Sequence, residues 1–376
     1  MNFFMLEYIQ GVIMMKILAA FDSFKESMTA YAAGEAVQRA YNNVHICPLA
    51  DGGEGTMEVM NRYLHGDIHE IEVAGPLFKT VHAKLAIMDD LAIIESAQAC
   101  GLDYLTEEEK NGTEATSYGV GEMMKYAYDH GVKRFLLTLG GSACNDGGIG
   151  LLSGMGYGFF DQFDQRIPMN ARGLETLDHI KKTRLDLSNI EVEGACDVTN
   201  PLCGKEGATY VFGPQKKVKD LEKTDQAMKH YAKIMSELVG KDDSCVSGAG
   251  AAGGMGYAIV TGLNGKLVTG FDAVSRTVHL EEAIQEADII FTGEGKMDHQ
   301  TLYGKTPIGV LRLAQKYNKP VVAFCGKCED KETLLEAGFE DVRCINHTDE
   351  PLSVLLEKGP QYLEEEVRRY LEEKNV

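Results

Sequence analysis

An apolar run that empties into a glycine-rich loop and then into a helix recurs along this chain, and it constrains the fold more than any other feature. The fullest case is residues 137–150, LTLGGSACNDGGIG. The apolar run 134–139 predicts a buried strand, and the stretch from Ile149 to about Phe160 predicts an apolar helix. Between them stand Gly140, Gly141, Ser142, Asn145 and Asp146. A strand end followed by glycines and a helix start turns backbone N–H groups toward one point, which suits an anion. Asp146 adds a carboxylate of the kind a phosphate-bound magnesium ion takes. The same residues also make an ordinary tight turn, so the loop alone leaves both readings open.

Composition narrows the field. The chain has 376 residues, past the size at which a single core stops growing, which predicts two domains. Its formal net charge of -20 disfavours nucleic acid and anionic membranes as partners. An anionic ligand must then be held by loop N–H groups, a few Lys or Arg, and metal. The nine cysteines are scattered, an odd count that is not a disulfide framework. They predict a reduced, cytoplasmic protein. Cys325 and Cys328 form a single CxxC, without the second ligand pair of a zinc site. Residues 1–14 are apolar, carry Glu7 and have no Lys or Arg, unlike a signal peptide. They are too short to span a bilayer. They read as an extension ahead of a natural start at Met15. Oligomeric state stays open, a homo-oligomer being compatible.

In chain order, strands are expected at 16–21 and 44–49, each running into a loop with an acid and then a helix, 31–41 and from Thr56 to about Leu64, with Thr29 as the first N-cap. Residues 69–95 alternate in the manner of antiparallel strands. Helices are expected at 119–129, 221–238 and from Gly248 to about Leu263, and a strand at 191–196. From about Leu280 the α/β rhythm returns: strand 288–292, loop 293–307, a helix, strand 320–324, helix 331–337, strand 341–345 and a helical end. The fold class is therefore α/β, with two α/β domains. A Rossmann-like or flavodoxin-like parallel-sheet domain comes from both chain ends, 15–70 and 282–376. A mixed α/β domain, 71–281, is inserted, and ligands are expected in the cleft between.

Five more loops share the character of the first: DSFKES (22–27), ADGGEGT (50–56), DVTNPLCG (197–204), GAGAAGG (248–254) and TGEGKMDHQTLYGKTP (292–307). Six such loops in one chain suit the lining of an anion and metal site better than six unrelated turns. GAGAAGG fits GxGxxG at Gly248, Gly250 and Gly253, with Asp272 about 20 residues on. A dinucleotide fingerprint, a phosphate-binding helix start and close packing through small residues are all open there. GKT at 304–306 is not a P-loop, since His299 stands where that pattern needs glycine. Phosphoryl transfer needs cations for charge, acids for magnesium and a base beside the attacking hydroxyl. Lys25, Lys296 and Lys305 can supply the first. Asp51, Asp146, Asp197 and Asp298 can supply the others.

DSFKES, PLADGGEGT, LGGSACNDGG, DVTNPLCG, GPQK, GAGAAGG and GEGKMDHQTLYGKTP stand in the order and setting of the class I glycerate kinase family, which this chain resembles from Met15 to its end. The resemblance implies ATP-dependent phosphorylation of D-glycerate with magnesium, mostly at the 2-hydroxyl, giving 2-phosphoglycerate. It leaves 3-phosphoglycerate as the alternative product. It also implies two α/β domains, one inserted in the other. In the reading that follows, Ser23, Lys25, Asp51, Gly52 and Gly53 bind glycerate. Gly140, Gly141, Ser142, Asn145, Gly248, Gly250, Gly253, Lys296 and Lys305 take nucleotide phosphates. Asp197, Asp298 and Lys25 are catalytic, and Asp146 and Asp197 hold metal. Other readings are a nicotinamide-dependent hydroxy-acid dehydrogenase and a non-catalytic anion-binding protein. The chain departs from the family pattern at Glu26, usually Gly, at Cys144, usually Thr, and at Ser247, often Pro. Cys144 puts a hydroxyl contact to ligand at that point in doubt.

Overall fold

Parallel strands covered on both faces read as unbroken apolar runs. Ile17–Phe21 is such a run, buried along its whole length. The computed structural model describes residues 8–9, 12–53, 55–298, 301, 306–347 and 350–375. It divides into two compact units: Met1–Asp51, Glu58–Tyr63 and Phe271–Val376 form one, and Gly52–Met57 with Leu64–Gly270 form the other. Of the expected extension 1–14, residues 8–9 and 12–14 are described, and Tyr8–Ile9 pairs antiparallel with Val12–Ile13.

The first unit holds, among the described residues, a five-stranded parallel sheet. Its strands lie in the order Val44–Ile46, Ile17–Phe21, Ile289–Met297, Val321–Cys328 and Asp341–Cys344. In chain order that is 2-1-3-4-5, the flavodoxin-like arrangement, whose switch point lies between Ile17–Phe21 and Ile289–Met297. Helix Ala30–Ala40 starts at Thr29, whose hydroxyl accepts from the Ala32 N–H at 3.2 Å, as its sequence predicts. Ala33, Ala36 and Val37 of this helix join Leu363, Val367 and Tyr370 of helix Gly359–Glu373 in a core with Phe21, Phe291 and Phe324.

The second unit carries a six-stranded mixed sheet among the described residues. Its order is Lys266–Val268, Glu191–Ala195, Arg134–Thr138, Leu91–Glu95, Thr80–Met88, Asp67–Ala74. The first four run parallel, Thr80–Met88 pairs antiparallel with Leu91–Glu95, and Asp67–Ala74 pairs antiparallel with Thr80–Met88. Helices Tyr118–Asp129 and Leu221–Val239 bury Met123, Met124, Met228 and Tyr231 in its core.

Three expectations change. The helix expected over 149–160 stops at Gly154, and Gly158–Phe160 pairs antiparallel with His179–Lys181. Gly156, at φ 89°, turns the chain between the two. The strand expected to end at Thr292 runs on to Met297, pairing Gly293 with Phe324 and Lys296 with Lys327. A Cβ at residue 293 would lie 1.8 Å from the Phe324 carbonyl oxygen, so glycine is what lets the strands continue to pair. The apolar helix from 248 is broken, because Ala252, Gly253 and Gly254 all take positive φ.

Candidate functional site

In the first unit the switch point gathers acids. Asp22 follows Ile17–Phe21, and its N–H donates to the Gly293 carbonyl at 3.0 Å. One carboxylate oxygen accepts from the Ser23 N–H at 2.7 Å, and the other from the Thr306 hydroxyl at 2.5 Å. The residue is 9% exposed. Burial pushes its carboxyl up to about 7, with Asp51 and Glu294 adding to the rise and the Thr306 and Ser23 donors opposing it. A carboxyl poised near neutral pH at the carboxyl edge of a sheet is a general-base candidate. Asp22 was not among the residues singled out from sequence. The available signal was its place as the acid directly after the first strand.

The turn after Asp22 is anchored by buried Phe24 and Met28, the Phe24 N–H donating to the Met28 carbonyl at 2.9 Å. Ser23, Lys25 and Glu26 are left exposed. Glu26, where the family pattern has glycine, takes φ 63°. Asp51 is exposed at the end of its segment in the same unit. Lys296 lies 3.1 Å from Asp298 and 2.8 Å from Glu329, and these carboxylates hold its ammonium pKa up. Asp298 itself is 8% exposed. Thr301, buried, donates to Glu294 at 2.9 Å and accepts from the Asp298 N–H at 3.2 Å. Thus Ser23, Lys25, Asp51, Lys296 and Asp298 share one unit with Asp22. Lys305 lies outside the described residues.

In the second unit Gly140 and Gly141 are exposed beyond strand Arg134–Thr138. Gly53 approaches them: a Cβ on Gly140 would sit 3.6 Å from the Gly53 Cα. Gly52 is buried against Gly270. Asp197 is exposed after strand Glu191–Ala195, and one carboxylate oxygen accepts from the Gly270 N–H at 3.0 Å. Ser142 and Asn145 are buried. The Asn145 amide donates to the Thr209 hydroxyl at 2.9 Å, while its carbonyl oxygen has no hydrogen-bond partner among the described residues.

Two expectations for this unit do not fit the placement. Asp146, expected as a metal ligand, is fully buried. Its oxygens accept from the Ser117 N–H and hydroxyl, both at 2.8 Å, the Gly148 N–H at 2.9 Å and the Gly150 N–H at 3.3 Å. Burial raises its carboxyl pKa against those donors. It anchors the loop from inside. Gly248, Gly250 and Gly253, expected to offer N–H groups to phosphate, are also buried. The Gly250 N–H donates to Asn200 at 2.9 Å, and the Gly253 carbonyl accepts from the Gly147 N–H at 2.8 Å. A Cβ on Gly253 would lie 2.2 Å from the Cys144 carbonyl oxygen. Small-residue packing is the reading that holds: the second glycine motif seats the first. Residues 241–250 include no strand leading into the motif, so the dinucleotide context is missing. Cys144 points inward, its thiol 3.9 Å from that of Cys100, so it offers no contact to ligand.

Among the described residues, no group of three or more His, Cys, Asp or Glu side chains is placed to hold a metal ion by itself. Magnesium that travels with nucleotide phosphates needs only one or two protein carboxylates, and exposed Asp197 fits that mode. Among the described residues, no helix is long and apolar enough to cross a membrane.

Acids, lysines and exposed glycines at the ends of parallel strands are the arrangement in which α/β enzymes take anionic ligands. The glycerate kinase family matches residues 17–373. A glycerate kinase of Haemophilus influenzae is 40% identical, covering 93% of this chain and 96% of its own. A glycerate 2-kinase of Escherichia coli K12 is 38% identical, covering 84% of this chain and 86% of its own. A crystal structure of a Salmonella typhimurium LT2 protein assigned as glycerate kinase 2 has a TM-score of 0.88 at 37% identity, covering 96% of this chain and 98% of that one. The chain belongs to the glycerate kinase family, and it is an enzyme, a phosphotransferase with an alcohol acceptor.

Proposed function

We propose that this enzyme is of the class I type and transfers the γ-phosphoryl group of ATP to the 2-hydroxyl of D-glycerate, giving 2-phosphoglycerate, in the cytoplasm. The observation that carries the mechanism is Asp22, a buried carboxyl near neutral pKa at the switch point of the flavodoxin-like sheet. In its ionised form it takes the proton of the attacking hydroxyl. Ser23 and Lys25, exposed beside it, receive the glycerate carboxylate, Lys25 as a point charge. Asp51 borders the same group. The exposed Gly140 and Gly141 amides receive nucleotide phosphate, with Gly53 alongside. Asp197 would hold magnesium, which supplies neutralisation of the phosphate charge. Asp298 keeps Lys296 in place. All nine cysteines are free, in keeping with a reduced compartment.

An ADP-release assay with D-glycerate, with phosphorus NMR of the product, tests the reading. Release of ADP with 2-phosphoglycerate supports it. The 3-phosphate would correct the position of attack, and turnover without ADP would overturn the assignment.

A further inference from the structure

The GPQK motif ends in Lys216, which is 3% exposed and lies in the second unit. Its ammonium donates to the Ser142 hydroxyl at 3.0 Å and to the Cys144 carbonyl at 2.7 Å. A lysine this deep, with two neutral acceptors and no direct ion pair among the described residues, carries a large desolvation penalty. Its backbone is fixed as well, since the Gly112 N–H donates to the Lys216 carbonyl at 2.6 Å. Residues 112–117 thus touch Lys216 at one end and, through Ser117, Asp146 at the other. The glycine loop is held from beneath by two buried side chains, a lysine and an aspartate. Lys216 grips its first half at Ser142 and Cys144. Asp146 grips its second half at Gly148 and Gly150.

The structure assigns to Lys216 the role of positioning residue for the phosphate loop. It acts through Ser142 and Cys144, keeping the Gly140–Gly141 turn in shape. It also places a fixed positive charge behind amides that meet a polyanion, where a low dielectric makes that charge count. The inference rests on the reading that this loop takes nucleotide phosphate. Burial lowers the lysine pKa, while the Cys144 and Cys100 thiols and Asp146, which face it, work the other way. The charge that the loop feels is lost as pH rises.

Lys216→Met and Lys216→Gln test it, the second keeping an N–H donor for Ser142 and Cys144 while removing the charge. Both are expected to raise the KM for ATP about tenfold, as for loss of one well-placed charge, and to leave the KM for D-glycerate unchanged. The alkaline rise in the wild-type KM for ATP should disappear in both. A wild-type KM for ATP in Lys216→Gln, or an unchanged alkaline rise, overturns the inference. Gly140→Ala separates the two readings. If it raises the KM for ATP and the lysine variants do not, Lys216 has no such role. If none of the three changes it, the loop does not bind nucleotide phosphate and the assignment falls with it.

Discussion

Asp22 and Thr306 are joined by a 2.5 Å hydrogen bond, the hydroxyl donating to a carboxylate oxygen, although 284 residues separate them in the chain. Thr306 opens helix Thr306–Lys316, which follows the central strand, and Asp22 directly follows the strand beside it. The bond stabilises the ionised acid against burial and so helps to bring its pKa to about 7. It sets how much of the base is ready at neutral pH.

Asp22→Asn should lower kcat by roughly 10²–10⁴-fold with little change in either KM, the pattern for removing a base. In the wild type the rate should climb as pH rises through about 7, because only the ionised carboxyl accepts a proton. Steady-state kinetics across pH check both. The stability effect has the opposite sense. A carboxyl raised from 3.8 to about 7 on folding contributes stability that is complete below 3.8 and is lost as pH rises through about 7. Urea denaturation of Asp22→Asn should lack that slope.

Thr306→Val removes the hydroxyl and keeps the side-chain shape. Loss of a hydrogen bond to a charged group should move the rising limb of the pH–rate profile upward by about one unit or more. The rate at high pH should stay near wild type. A limb that does not move would show that Thr306 has no hold on the base.

Glu26→Gly should stabilise the protein by about 1 kcal/mol, since a side chain at φ 63° carries a steric penalty that glycine escapes. Glu26 is exposed, so little packing is lost. The urea midpoint reads the change.

Gly253→Ala should destabilise by at least ~2 kcal/mol, because its φ of 68° and the 2.2 Å approach to the Cys144 carbonyl leave no room for Cβ. Chemical denaturation measures it. A near-neutral result would mean that the two glycine motifs are not seated against each other in this way.

Asp197→Asn should raise the magnesium concentration for half-maximal rate by about tenfold or more. Asp146→Asn should instead lower stability, since Asn can accept only part of the four hydrogen bonds made to Asp146. Metal titration and thermal unfolding together distinguish a ligand from an anchor.

Local patterning determined most of the α/β architecture. Apolar runs such as Ile17–Phe21, the Thr29 cap and the alternation before Glu95 depend on short-range preferences, and these held. The recurring loops were legible too, and they led to the family. Tertiary structure decided how each loop is used. GGSACNDGG and GAGAAGG look alike in sequence, yet Gly140 and Gly141 of the first are exposed, while Gly248, Gly250 and Gly253 of the second are buried. Asp22, Asp146 and Asp197 each follow a strand or stand in a glycine loop. Burial raises Asp22 to about 7 against the Thr306 and Ser23 donors, burial and four donors enclose Asp146, and Asp197 stays exposed. A pKa or a metal ligand depends on solvent exclusion and on partners such as Thr306, Ser117 and Gly270. Long-range packing sets those partners, and residue type and spacing do not carry them.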